Sequence, residues 1–187
     1  MSELMRPQDT PGVPGGHRRV TGPAKIRSEA AYFDARAKAD VEAEVTARDH
    51  HEGLAARVQA SGEGLHGMVE ELRHYEESFP TRGQLRPLAN ALARHCEATE
   101  KTALQALDER GAAGDVVLEE RKEGTQLQRN LDDLIRKDQP EDTFAVSVAG
   151  VLAGIDMYVA HERRDLLPAI DRELSPTHSA RLARSFG

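Results

Sequence analysis

The chain has 187 residues, of which 30% are charged, 39% hydrophobic and only 4% aromatic, with no Trp and a formal net charge of -7. That length suits one domain with a single core. Scarce aromatics beside plentiful Ala, Leu, Glu and Arg favour helices over sandwiches or barrels. The acidic balance argues against a nucleic-acid partner, which requires a basic face. The basic cluster His17-Arg18-Arg19 is too short to overturn that. A single cysteine, Cys96, excludes an internal disulfide and suits a reducing cytoplasm. No apolar run has the length of a signal peptide or a bilayer span, so a cytoplasmic chain with no membrane partner is expected.

Residues 1–27 are expected to form a flexible Pro/Gly-rich N-terminal tail. Pro7, Pro11, Pro14 and Pro23 alternate with Gly12, Gly15, Gly16 and Gly22, so no regular element propagates. Residues 28–187 form the folded domain, opened by Ser28 as a helix cap. Four long helical patterns follow, near 37–78, 83–109, 114–137 and 142–172. Breakers separate them at Phe79-Pro80-Thr81-Arg82-Gly83, Gly111-Ala112-Ala113-Gly114 and Asp138-Gln139-Pro140, and the last helix ends near Ser175-Pro176. Gly62, Gly64 and Gly67 predict a bend or break in the first helix. Short connections between long helices predict an all-α fold: an antiparallel, up-down-up-down four-helix bundle behind an extended N-terminal segment.

Steps of three and four residues mark the face each helix buries. On the first helix the seam is His51, Leu54, Val58, Ser61, Leu65, Met68, Leu72, Tyr75 and Phe79. The second carries Leu85, Leu88, Leu92, His95, Thr99, Thr102 and Ala106; the third Val117, Glu120, Gly124, Leu127, Leu131 and Leu134. The fourth carries Phe144, Val148, Val151, Ile155, Tyr158, Glu162 and Asp165. Polar residues interrupt every seam. With alternating helix directions His51, His95, Thr99, Glu120, Tyr158 and Glu162 are expected to meet near one end of the bundle. A buried imidazole or carboxylate is costly unless it is paired, hydrogen-bonded or bound to a metal. Each of these side chains alone reads as a satisfied polar residue; together they also read as a metal layer, since imidazole and carboxylate suit iron, manganese or zinc.

Several runs resemble the hemerythrin HHE cation-binding family, over about residues 40–174. They are Asp49-His50-His51-Glu52, the stretch from Leu92 through His95 to Glu100, and above all Tyr158-Val159-Ala160-His161-Glu162-Arg163-Arg164-Asp165-Leu166-Leu167-Pro168-Ala169-Ile170. The resemblance implies a four-helix bundle holding two non-haem irons through histidines and two bridging carboxylates. Carried over, His95 fits a family histidine and Glu162 a bridging carboxylate. His51 fits the first-helix histidine by phase, and His50 fits it by the preceding Asp49. Thr99 stands where the other carboxylate belongs, Glu120 or Arg121 where the third helix offers His, and Tyr158 where the fourth does. The implied site is therefore remodelled, with metal ligands drawn from His50, His51, His95, Glu120, Tyr158 and Glu162 and non-haem iron as cofactor, one or two ions, or another divalent metal.

Three functions follow from these residues. The first is a metal protein that binds, senses or reacts with dioxygen or reactive oxygen or nitrogen species. The second is a non-haem iron oxygenase or oxidase, for which Thr99 and Gly124 leave pocket space. The third is a metal-free interaction module, in which Glu120 and Glu162 pair directly with His51, His95 or Tyr158. His161 and Glu100 fall off the seams, and His66 and His74 are expected to be solvated.

Overall fold

The computed structural model describes residues 51–74 and 80–187. The tail, the Ser28 cap, His50, Tyr75 and Phe79 lie outside those residues. Every regular element among them is helical: α1 (Gly53–Arg73), α2 (Arg82–Thr99), α3 (Gln105–Asp108), α4 (Gly114–Arg136), α5 (Glu141–His161), α6 (Leu167–Glu173) and α7 (Pro176–Ala183). A π-helical turn, Glu100–Leu104, joins α2 to α3, and another, Glu162–Leu166, joins α5 to α6. Four rods result, and the last of them runs without interruption from Glu141 to Glu173.

Local chemistry sets the ends. Thr81 caps α2 through a reciprocal box, its side chain accepting from the Gln84 N–H while the Thr81 N–H donates to Gln84 Oε1 at 2.8 Å. Gly111, at φ +62°, ends the second rod in the left-handed region where a side chain would be strained. The π turns also have local causes. Pro168 lacks the N–H that an α-helix would direct at the Arg164 carbonyl, and the widened turn immediately precedes it. In the other, the Thr102 hydroxyl bonds back to the Ala98 carbonyl at 2.6 Å.

The predicted seams are the buried faces. All six seam positions of α4 are buried, as are the seven assigned to the second rod. Three expectations are corrected. First, α1 is continuous through its glycines, because packing outweighs propensity: a Cβ on Gly62 would sit 3.2 Å from Val159. Second, the fourth rod ends at Glu173, just before Ser175-Pro176 as expected, but one more helix follows that the spacing did not predict. Ser175 caps α7 and Pro176 occupies its first turn, where a missing N–H costs nothing. Third, the Glu141–Glu173 rod is long and apolar enough by composition to cross a membrane (hydropathy 1.7 over the best window), although no such stretch was expected. Its apolar run faces inward, with 67% of that window buried.

The short helix α7 closes one end of α1. Ser179 Oγ accepts from the Leu54 N–H at 2.8 Å, standing in for a cap that Glu52 does not supply. The approach is close enough that a Cβ on Gly53, itself at φ +58°, would lie 2.6 Å from Ser179 Oγ.

Rod packs on rod: α1 against α2 and α5, α2 against α4, α4 against α5, with α7 laid on α1. The core divides into two apolar clusters. One gathers Leu65, Val69, Leu88, Leu92, Leu127, Leu131, Ile155 and Val159; the other gathers Leu54, Val58, Ala103, Leu107, Val117, Leu166 and Ile170. Each rod passes from one cluster to the other at its polar section. The polar layer therefore lies between two apolar blocks, not near an end as expected.

A second buried polar group lies in the first cluster's half. Asp156 is wholly buried and meets Arg73 Nη1 at 2.5 Å and His66 Nδ1 at 2.8 Å. His66 is therefore partly buried and paired, where a solvated side chain was expected.

Candidate functional site: a buried carboxyl, imidazole and phenol layer

The layer is built by register. Starting from Leu92, successive seam steps on α2 bring His95 and then Thr99 to the core. On α4, Glu120 and Gly124 occupy the same face between Val117 and Leu127. On the last rod, Tyr158 faces inward from α5 and Glu162 opens the π turn. Both rods that carry a π turn carry it beside this layer. Such turns recur at functional sites because they re-aim side chains that an unbroken helix could not.

His95 is held on both sides. Its Nδ1 lies 2.8 Å from Ser61 Oγ on α1, and its Nε2 lies 2.8 Å from Glu162 Oε1. The Tyr158 ring meets the imidazole edge-on at 5.9 Å between centroids, and Phe186 approaches it at 6.5 Å. Glu120 lies beside both Tyr158 and Glu162. Burial first, and the charge of Glu162 second, push the Glu120 carboxyl up to about 9. At neutral pH Glu120 thus keeps its proton, which resolves the like-charge conflict with Glu162. Burial, reinforced by the two carboxyls, likewise holds the Tyr158 phenol well above its ordinary range.

Cys96 borders the layer, its Sγ 3.8 Å from the Tyr158 hydroxyl. Burial pushes the thiol up to about 11, against a smaller opposing effect from Tyr158. A protonated thiol is a poor nucleophile, so Cys96 acts as packing in this state. Gly124 makes room for it: a Cβ there would lie 3.0 Å from Cys96 Sγ.

Of the sequence-predicted residues, the structure brings together His95, Glu120, Tyr158 and Glu162. His51 stands apart. It lies before α1 and pairs through Nδ1 with Asp171 Oδ2 at 2.5 Å. Asp171 is nine positions beyond Glu162, or about 13 Å along the rod by helical rise. The first-helix partner of His95 is instead Ser61. It sits on the predicted seam, but only the folded packing shows its role. Glu100 is drawn outward by Arg121, which donates to it through both Nε and Nη2. His161 pairs with Glu123 at 3.0 Å.

Two clefts reach the layer, one on each side of α2. The first, about 620 Å³, is lined by Ser61, Leu65, Met68, Arg94, His95 and Phe186, among others. The second, about 360 Å³, opens between α2 and α4 onto Cys96, Thr99, Glu120, Gly124 and Tyr158. Two buried oxygens in this second cleft, Thr99 Oγ1 and Glu120 Oε1, have no hydrogen-bond partner. Thr99 and Gly124 are the small seam residues expected to leave space.

Among the described residues, no three His, Cys, Asp or Glu side chains converge closely enough to hold a metal ion as they stand. An imidazole, two carboxyls and a phenol lie in one buried layer, and the two carboxyls tolerate each other only by retaining a proton. No protein-family model matches the chain, and no curated protein or solved structure is significantly similar to it.

Proposed function

We propose that the chain is a hemerythrin-like four-helix protein whose core takes up non-haem iron, or another divalent metal, at His95, Glu120, Tyr158 and Glu162. Its task in this reading is to bind, sense or react with dioxygen or a reactive oxygen or nitrogen species. The observation that carries it is the burial of two neighbouring carboxyls, Glu120 and Glu162, in one layer with His95. Two carboxyls in apolar surroundings are costly, and a divalent cation satisfies both at once.

The bundle belongs to the same proposal. Along α1 and α4 the chain passes from the cluster holding Val58 and Val117 to the one holding Leu65 and Leu127. Along α2 and α5 it passes the other way, from Leu92 and Val159 to Ala103 and Leu166. This alternation supports an antiparallel, up-down-up-down arrangement.

The chain's own groups do the preparatory chemistry. Glu120 gives up its proton when a cation arrives, so affinity rises with pH. Ser61 can donate to His95 Nδ1 or accept from it, and the second arrangement frees Nε2 as a ligand lone pair. The apolar clusters above and below shield the layer at both ends, and the two clefts are its openings. Bound iron would supply redox and Lewis-acid chemistry.

A second reading has its own observation. The direct bond between His95 and Glu162 satisfies both groups without an ion, as a metal-free helical interaction module would require. Elemental analysis of protein purified anaerobically from iron-replete cells separates the two, with Glu162→Ala and His95→Ala as controls. Stoichiometric metal in the wild type, lost in both variants, is the expected result. Folded wild-type protein that takes up neither iron, manganese nor zinc would refute the metal reading.

A further inference from the structure

The cleft between α2 and α4 presents polar atoms that the protein's own hydrogen bonds leave unmatched. Thr99 is 1% exposed and Glu120 5% exposed, and each keeps one oxygen without a partner. An unmatched buried oxygen is costly, because it has lost water and gained no partner. Two in one cleft, both among its lining residues, describe a receptor for a hydrogen-bonding guest. We infer that this cleft binds a small uncharged molecule carrying O–H or N–H donors, held between Thr99 Oγ1 and Glu120 Oε1.

The chemistry restricts the guest. A bare diatomic gas has no hydrogen to offer and would leave Glu120 Oε1 unmatched. An anion would be repelled by the carboxyls, and the rim cation Arg121 is already engaged by Glu100 and Asp108. The Thr99 hydroxyl both donates and accepts, so it tolerates either end of the guest. Apart from water and ammonia, hydroxylamine and hydrogen peroxide are among the simplest molecules of this class. As a reactant site the cleft rests on the proposed metal reading, because it places such a molecule beside Tyr158 and Glu120. As a binding site it does not.

The test uses hydroxylamine as probe, in mildly alkaline buffer where it is uncharged, on the whole chain stripped of metal with a chelator. Amide resonances are followed by NMR during titration. Saturable shifts are expected at Thr99, Glu100 and Gly124, with affinity about 2- to 10-fold weaker in Thr99→Val and retained in Thr99→Ser. Xenon, which fills space without hydrogen bonding, is expected to leave these amides unshifted. Equal affinity in Thr99→Val and Thr99→Ser, no saturable shift in the wild type, or the same shifts from xenon would each overturn the inference. Metal uptake is measured separately on the same samples. Uptake without hydroxylamine binding defeats only this inference; hydroxylamine binding without uptake defeats only the metal reading.

Discussion

His95 and Glu162 lie on different rods, 67 positions apart in sequence, yet His95 Nε2 meets Glu162 Oε1 at 2.8 Å with both side chains at most 3% exposed. A charged or strongly polar pair this deep is held by its geometry, since each partner has given up water for the other.

Removing one partner should therefore cost more than removing both. Glu162→Ala or His95→Ala is expected to lower unfolding stability by about 3 kcal/mol, because the survivor is left buried and unmatched. The double variant His95→Leu with Glu162→Leu is expected to recover part of that loss. Urea unfolding of the three variants measures it, and additive losses would refute the coupling.

The raised Glu120 carboxyl makes stability depend on pH. Its folded value of about 9 exceeds the unfolded 4.5, so the folded state binds more protons between them. Stability is then fully present below the unfolded value and falls as pH rises toward 9, by up to about 1.4 kcal/mol per pH unit. Glu120→Gln removes this dependence, so the variant gains on the wild type between about pH 6 and pH 8. Denaturant midpoints across that range, on chelator-treated protein, check the sign.

Glycine substitutions should diverge according to what surrounds them. Nothing lies within 4 Å of a Cβ on Gly64, and Gly64→Ala is expected to stabilise by about 0.5–1 kcal/mol. At Gly124 the new methyl meets Cys96 Sγ at 3.0 Å, and Gly124→Ala is expected to destabilise by about 1–2 kcal/mol. Cys96→Ala should restore most of that loss. Thermal melts of the two single variants and the Gly124→Ala, Cys96→Ala pair decide the matter.

The lid formed by α7 should be sensitive at one atom. Ser179→Ala removes the acceptor for the Leu54 N–H and is expected to cost about 1 kcal/mol. Hydrogen exchange at Leu54 and Ala55 should accelerate by more than exchange at Leu65. Uniform acceleration along α1 would show that Ser179 does not act as its cap.

The sequence by itself determined the four rods and the faces they bury. Period and breakers are local properties, so Leu85 through Ala106 on one seam and Val117 through Leu134 on another could be read from spacing alone. The same spacing singled out His95, Glu120, Tyr158 and Glu162, because a polar residue interrupting an apolar stripe is visible without a structure. Tertiary structure alone decided the partners. His51 has the right phase but lies before α1, where Asp171 claims it, and Ser61 takes the place beside His95. Asp156 gave no signal in its own segment, since Arg73 and His66 come from a different rod. Periodicity says which side of a helix is inside; which atoms then touch depends on how far each rod slides and turns against its neighbours, and packing across the whole core fixes that.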